Sequence, residues 1–169
     1  PSVGDSLRLF QWRARVAEDP ADVEAWAALA ARDLAEGRPG DALEDWARIL
    51  ALRPADPQAL AGSVRVLADR QDGDQASTLV ERALAAAPED PAILAVAARV
   101  YLDLAPDPMR AEAVARARAE ALPRDAGAAA DLATALLVLH REPEAVAVLD
   151  RVLSRLKAET PVAAVRIQA

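Results

Sequence analysis

Apolar positions in this chain fall in pairs of helically spaced runs, with a short polar break inside each pair. Trp26, Leu29, Ala30 and Leu34 mark one run with steps of three and four residues, the period of a helix face. The segment Glu36-Gly37-Arg38-Pro39-Gly40 then turns the chain, and Ala42, Leu43, Trp46, Ile49 and Leu50 mark the return. The next pair repeats the arrangement with Leu60, Val64 and Leu67, a turn expected at Asp72-Gly73-Asp74, and Ala76, Leu79, Val80, Ala83 and Leu84. Each pair predicts two antiparallel helices.

The pairs recur with a period of 34 residues: Asp22, Asp56 and Asp90 keep that interval, as do Pro20, Pro54 and Pro88, and Ala42 and Ala76. A fixed period in this range marks a stacked repeat array. Each ladder has a local cause. Asp56-Pro57 and Asp90-Pro91 place a capping carboxylate before a proline at the first helical position, where the missing N–H costs nothing. Pro54 and Pro88 stop the preceding helix, because a proline disfavours helical geometry in the residue before it.

Trp26, Leu29, Ala30, Gly37, Ala42, Trp46 and Pro54 stand at the spacing of the tetratricopeptide repeat, and the chain resembles that family. Later units carry the resemblance through Leu60, Val64, Leu67, Ala76, Ala83 and Pro88; through Leu94, Ala97, Ala98, Tyr101, Ala111 and Pro123; and through Leu132, Ala133, Leu136, Ala145 and Leu149. The implied fold is all-α, a right-handed α-solenoid of four antiparallel helix pairs spanning 23–56, 57–90, 91–125 and 126–159. Unit three has one extra residue, expected near the Pro106-Asp107-Pro108 turn. Three positions depart from the family pattern: Asp33 replaces an aromatic, Arg118 replaces an alanine, and Lys157 stands where the unit should close with proline.

Residues 1–22 are expected to supply an N-terminal capping helix over Ser6 to Glu18, with Leu9, Trp12 and Val16 on its inner face. Thr160-Pro161 repeats the cap-plus-proline signature, so residues 160–169 are expected to start a short C-terminal helix. Homo-oligomerisation through this C-terminal end is part of the expectation. Pro1 is not an initiator residue, which leaves room for a leader or a membrane anchor upstream.

Composition narrows function mainly by exclusion. With 20 Lys+Arg against 27 Asp+Glu and both signs scattered, there is no basic stripe for nucleic acid. The most apolar stretch, Ala126 to Leu139, is broken by Asp131 and falls short of the roughly 20 residues a membrane span needs. No cysteine is present, which fits a bacterial periplasm or cytoplasm, and the single histidine, His140, is expected in a solvated turn. No glycine-rich phosphate loop or paired-histidine metal spacing occurs, so no cofactor, metal or catalytic residue is assigned and the chain reads as a non-enzyme.

The family resemblance implies a concave groove lined by the first helix of each unit, with a protein or peptide as its partner. Carried over position by position, the candidate groove residues are Glu24 and Leu34, then Gln58, Arg65 and Asp69, then Arg99 and Asp103, then Thr134 and Leu137. Arg65 and Arg99 are 34 residues apart, as are Asp69 and Asp103. Each Arg and Asp pair at i and i+4 either closes a salt bridge on its own helix, worth about 0.2–0.5 kcal/mol, or presents a guanidinium to a partner. The lysines and asparagines of the family's carboxylate clamp are replaced by Ala27, Ala31, Gly62, Ala92 and Val96. A heat-shock co-chaperone is thereby disfavoured.

The leading expectation is a bacterial interaction scaffold used in assembly or chaperoning. Residues Glu18 to Leu29 also resemble the opening of the repeat region of the periplasmic chaperone of cytochrome c maturation. Two other classes fit: a targeting or oligomerisation segment of a larger enzyme, and a self-assembling structural repeat.

Overall fold

The computed structural model describes residues 3–159 and contains nine α-helices and no strand among them. The helices are α1 (Val3–Glu18), α2 (Val23–Ala35), α3 (Pro39–Leu52), α4 (Pro57–Asp69), α5 (Gly73–Ala86), α6 (Pro91–Arg99), α7 (Pro108–Ala121), α8 (Ala126–Val138) and α9 (Glu142–Glu159). A π-helical turn, Val100–Leu104, prolongs α6. The helix expected from Thr160 lies outside the described residues.

Helix starts follow the aspartates. Asp22, Asp56, Asp72, Asp90, Asp107 and Asp125 each accept a hydrogen bond from a backbone N–H in the first turn of the helix that follows. Each such cap is worth about 1 kcal/mol. Helix ends follow the prolines: α1, α3, α5 and α7 stop two residues before Pro20, Pro54, Pro88 and Pro123. The exception is α9, where Lys157 replaces that proline and the helix runs for 18 residues against 14 in α3, α5 and α7.

Three of the four hairpins turn in the same way. Gly37, Gln71 and His140 have φ of 74°, 56° and 57°, left-handed values that let the next residue's N–H reach back to the helix. Arg38 N donates to Asp33 O at 2.8 Å, Asp72 N to Leu67 O at 2.9 Å and Arg141 N to Leu136 O at 2.8 Å. The second turn is therefore Arg70-Gln71-Asp72, upstream of the expected Asp72-Gly73-Asp74, because Asp72 caps α5 and Gly73 is already helical. Gly73 is needed there, since a Cβ would come within 2.5 Å of the Leu104 carbonyl oxygen.

The third hairpin breaks the pattern. Pro106 occupies the position of Gly37, Gln71 and His140, and its ring holds φ near −65°, so the left-handed turn is closed to it. The chain instead widens the last turn of the helix: Ala105 N donates to Val100 O at 2.8 Å and Asp107 N to Tyr101 O at 2.8 Å. The extra residue of unit three thus sits inside the helix. The Ala105-Pro106-Asp107 loop is as short as the others.

Packing depends on small residues where helices meet. Ala30, Ala42, Ala76, Ala98 and Ala145 are all buried, which lets neighbouring helices approach closely. Along the array α4 touches α6 and α6 touches α8, so the first helices of successive pairs lie side by side. The larger core cluster runs from Ala30 to Ala135, and a smaller one joins Ala98, Ala115, Leu132, Ala133, Leu136 and Ala145. At the N-terminal end α1 packs on α2, with the Arg15 guanidinium on both carboxylate oxygens of Asp22 (2.7 and 3.0 Å) and Trp26 Nε1 donating to Pro20 O at 3.0 Å.

Candidate partner-binding cleft

Residues of α2, α4 and α6, with the π-helical turn, line a cleft of about 1020 Å³. Its floor is apolar and made of small side chains: Ala27, Ala31, Ala61, Val64, Ala68, Val96 and Val100. Trp46 and Ile49 of α3 reach the floor between α2 and α4. This works because position 62 is glycine: a Cβ there would lie 2.5 Å from the Trp46 ring. A residue that resembled a vacant clamp position is therefore a seat for an indole.

Charged and polar groups stand around this floor. Glu24, Gln58, Arg65, Asp69, Arg99 and Asp103 all line the cleft, joined by Arg53 and Asp56 from the α3–α4 junction. The other three candidates are elsewhere. Leu34 is half-buried against the larger core, because it lies one helical turn beyond buried Ala30. Thr134 and Leu137 are on α8, beyond the cleft walls; Thr134 Oγ1 donates to Ala130 O at 2.9 Å, and Leu137 is exposed.

Several arginines outside the cleft are tied to carboxylates: Arg38 to Asp33, Glu36 and Asp41, Arg118 to Asp125 and Asp131, and Arg141 to Glu144. Hydrogen bonds from Arg15, with backbone donation from Ala25, hold the Asp22 carboxyl below its usual range. In the cleft, the i,i+4 bridges from Arg65 to Asp69 and from Arg99 to Asp103 are not formed, and among the described residues neither arginine closes an ion pair. Both guanidiniums are exposed and keep their five donors for an outside acceptor.

Sequence reasoning did not single out Arg53, Asp56 or the Trp46–Gly62 contact as parts of the cleft. Asp56 is legible as a cap, and only the turn that brings α4 back against α3 makes it a wall. A smaller cavity of about 330 Å³ lies among Leu43, Ala47, Leu50, Leu67 and Leu79; the Ser63 hydroxyl beside it is buried without a partner. No group of three or more acidic, histidine or cysteine side chains suited to a metal ion occurs among the described residues. None of the described helices is long and apolar enough to cross a membrane.

Stacked helical hairpins around a cleft on one face define an α-solenoid of repeats. Residues 33–100 match the family described as tetratricopeptide repeat. Among solved structures the chain is similar to a crystal structure of MamA, with a TM-score of 0.70 at 17% identity over 94% of this chain and 96% of that one. A MamA fragment from Desulfovibrio magneticus RS-1 gives 0.70 at 16% identity, covering 90% and 85%. A tetratricopeptide repeat protein from Parabacteroides merdae gives 0.59 at 15% identity, covering 86% of this chain and 57% of that one. At these identities the likeness establishes the fold. No curated protein matches the chain.

Proposed function

We propose that the chain is a non-catalytic interaction scaffold that holds a partner polypeptide in the cleft between α2, α4 and α6, in the assembly or chaperoning of a bacterial complex. The observation that carries this reading is the pair of unpaired arginines, Arg65 and Arg99, standing one repeat apart over an alanine and valine floor. Arg15, Arg38, Arg118 and Arg141 are neutralised by neighbouring carboxylates, whereas these two stand exposed in the cleft. A small-residue floor accepts a backbone or the apolar face of a helix closely, and two guanidiniums in register accept carboxylates or backbone carbonyls.

The fitting partner is therefore an extended or amphipathic segment carrying acidic side chains or a free carboxylate. Asp69 and Asp103 beside the arginines select against strings of acid and favour a partner of mixed charge. The resemblance of Glu18 to Leu29 to the cytochrome c maturation chaperone makes apocytochrome C-terminal peptides one defined probe.

Fluorescence anisotropy with an array of labelled peptides, those C-terminal peptides included, tests the reading. Binding should favour peptides with carboxylates spaced among small apolar residues and should weaken with salt. The double variant Arg65→Ala/Arg99→Ala should lose at least tenfold in affinity, since hydrogen bonds to charged groups are worth about 1.5–3 kcal/mol each. Unchanged affinity in a variant with an unchanged melting curve would remove the proposal.

A further inference from the structure

Among the described residues Ser63 is the one polar side chain that lies as deep as the apolar core, with 1% of its surface exposed. Leu29 and Leu132 hold its place in units one and four, both buried, and Ala97 holds it in unit three. A hydroxyl within a helix ordinarily donates to the carbonyl four residues back. Thr78 does so to Asp74 O and Thr134 to Ala130 O, each at 2.9 Å. The Ser63 hydroxyl has no hydrogen-bond partner. Unit two thus replaces a packed leucine by a polar group that bonds to nothing in the fold, a loss on both counts for stability alone.

The surroundings of Ser63 give it a use. It lines the cavity of about 330 Å³ enclosed by α3, α4 and α5, which is separate from the cleft: Val64, Arg65 and Ala68 of α4 line the cleft, whereas Ser63 and Leu67 line this cavity. Leu50 and Leu67 are its buried floor, and Leu43 and Leu79 its half-buried walls. The exposed residues Asp74, Gln75 and Thr78 mark its mouth. Two of these three are already engaged locally, Gln75 Nε2 with the Asp72 carboxylate at 2.7 Å and the Thr78 hydroxyl with Asp74 O. The interior therefore presents hydrocarbon on every side and one unused hydroxyl.

We infer that this cavity is a binding site for a small neutral molecule with an apolar body and a single hydroxyl or N–H, the polar atom hydrogen-bonded to Ser63. Its volume is at the low end of ligand pockets, roughly 300–1,000 Å³, and suits a body of one or two rings. A peptide segment does not fit, because each residue brings a backbone donor and acceptor to an interior that offers one hydroxyl. Water does not fit for the same reason, since a buried water takes roughly two to four polar partners. An ionised ligand would carry its charge into an apolar chamber, and Asp74 at the mouth further opposes a carboxylate.

Amide NMR titration of the full chain with para-cresol and with toluene, which differ by one hydroxyl, tests the inference. Para-cresol is expected to bind with a Kd on the order of 1 mM, the scale for a ligand of so few atoms, and to shift the signals of Leu43, Ser63 and Leu79. Ser63→Ala should weaken para-cresol about three- to tenfold and leave toluene unchanged. Ser63→Leu, which installs the residue of units one and four, should abolish binding of both probes and raise the melting temperature. The inference is overturned by the absence of saturable shifts around Ser63, by a Ser63→Ala variant that affects the two probes equally, or by binding that survives in a folded Ser63→Leu variant.

Discussion

The seam between α3 and α4 and the seam between α7 and α8 hold the same place in the repeat and are filled by opposite chemistry. In the first, Trp46 and Ile49 are buried and the indole rests on Gly62. In the second, Arg118 holds the place of Ile49 and Asp131 the place of Gly62. The Arg118 guanidinium, only 14% exposed, pairs with Asp131 and with Asp125 at 3.1 Å. One seam is thus filled by an aromatic ring and the other by an ion triad. Burial raises the Asp131 carboxyl above its ordinary range against the opposing pull of Arg118, so the triad carries a desolvation cost the aromatic seam lacks. The apolar seam should tolerate pH and salt; the ionic seam should depend on every member being present.

The largest expected effect comes from emptying the aromatic seam. Trp46→Ala should destabilise the fold by about 3–5 kcal/mol, because the surrounding helices close only partly over so large a void. Urea unfolding reads this directly, and a loss under 1 kcal/mol, below the scale of such cavities, would show that Trp46 serves the cleft floor rather than the core.

The ionic seam should respond asymmetrically. Arg118→Ala leaves Asp131 half-buried without its partner and should cost about 2–3 kcal/mol, below the range for fully buried pairs because Asp131 is partly solvated. The double variant Arg118→Ile/Asp131→Val, which copies the residues of the other seams, should recover most of that loss or exceed the parent. If the double variant is no better than the single, the triad does more than fill space.

A third place shows what happens when a charge is packed without a counter-ion. Asp45 of α3 has a buried oxygen with no hydrogen-bond partner and lies beside Asp33, which stands where the repeat family has an aromatic. Burial, with repulsion from Asp33, Asp41 and Glu44, pushes its carboxyl up to about 6. The folded state therefore holds a proton that the unfolded state releases, so stability is gained as pH falls from 6 towards 4 and lost as pH rises through 6. Asp45→Asn should stabilise the protein at neutral pH by on the order of 1 kcal/mol after allowance for solvent, and should flatten the melting temperature across that window.

Most of the fold was legible because its punctuation is local. A capping aspartate, a proline two residues past a helix end and a buried alanine each act within a few residues of themselves, so a 34-residue ladder of them suffices to lay out four hairpins. The cleft was legible in part. Arg65, Asp69, Arg99 and Asp103 could be placed on one face by helical phase, but whether the i,i+4 bridges close depends on side-chain positions that spacing leaves open. Leu34 shows the limit of phase near a helix end, since the same residue can share a face with Ala31 or with buried Ala30. Arg53 and Trp46 were missed because they reach the cleft only through the meeting of α3 with α4. The extra residue of unit three was expected near the Pro106-Asp107-Pro108 turn, and the structure absorbs it in the π-helical turn Val100–Leu104 just before it; only the shared left-handed position of Gly37, Gln71 and His140 shows why, since Pro106 cannot take that turn.

That explanation yields the smallest expected effect and the most specific one. If Pro106 is the cause of the π-helical turn, then deleting Ala105 while changing Pro106→Gly restores a 34-residue unit with a glycine at the left-handed position, and the hairpin should close as its neighbours do. Tyr101 remains in register with Leu67, and the backbone loses one residue that has no counterpart elsewhere in the array. The stability change should stay within about 1 kcal/mol, the scale of single backbone substitutions in turns. Deleting Ala105 alone should cost clearly more, because proline cannot take positive φ and the shortened loop would have no other way round. Equal losses in the two variants, measured by denaturant unfolding, would mean that the widened turn is required by the packing of Tyr101 and Leu104 and not by the proline.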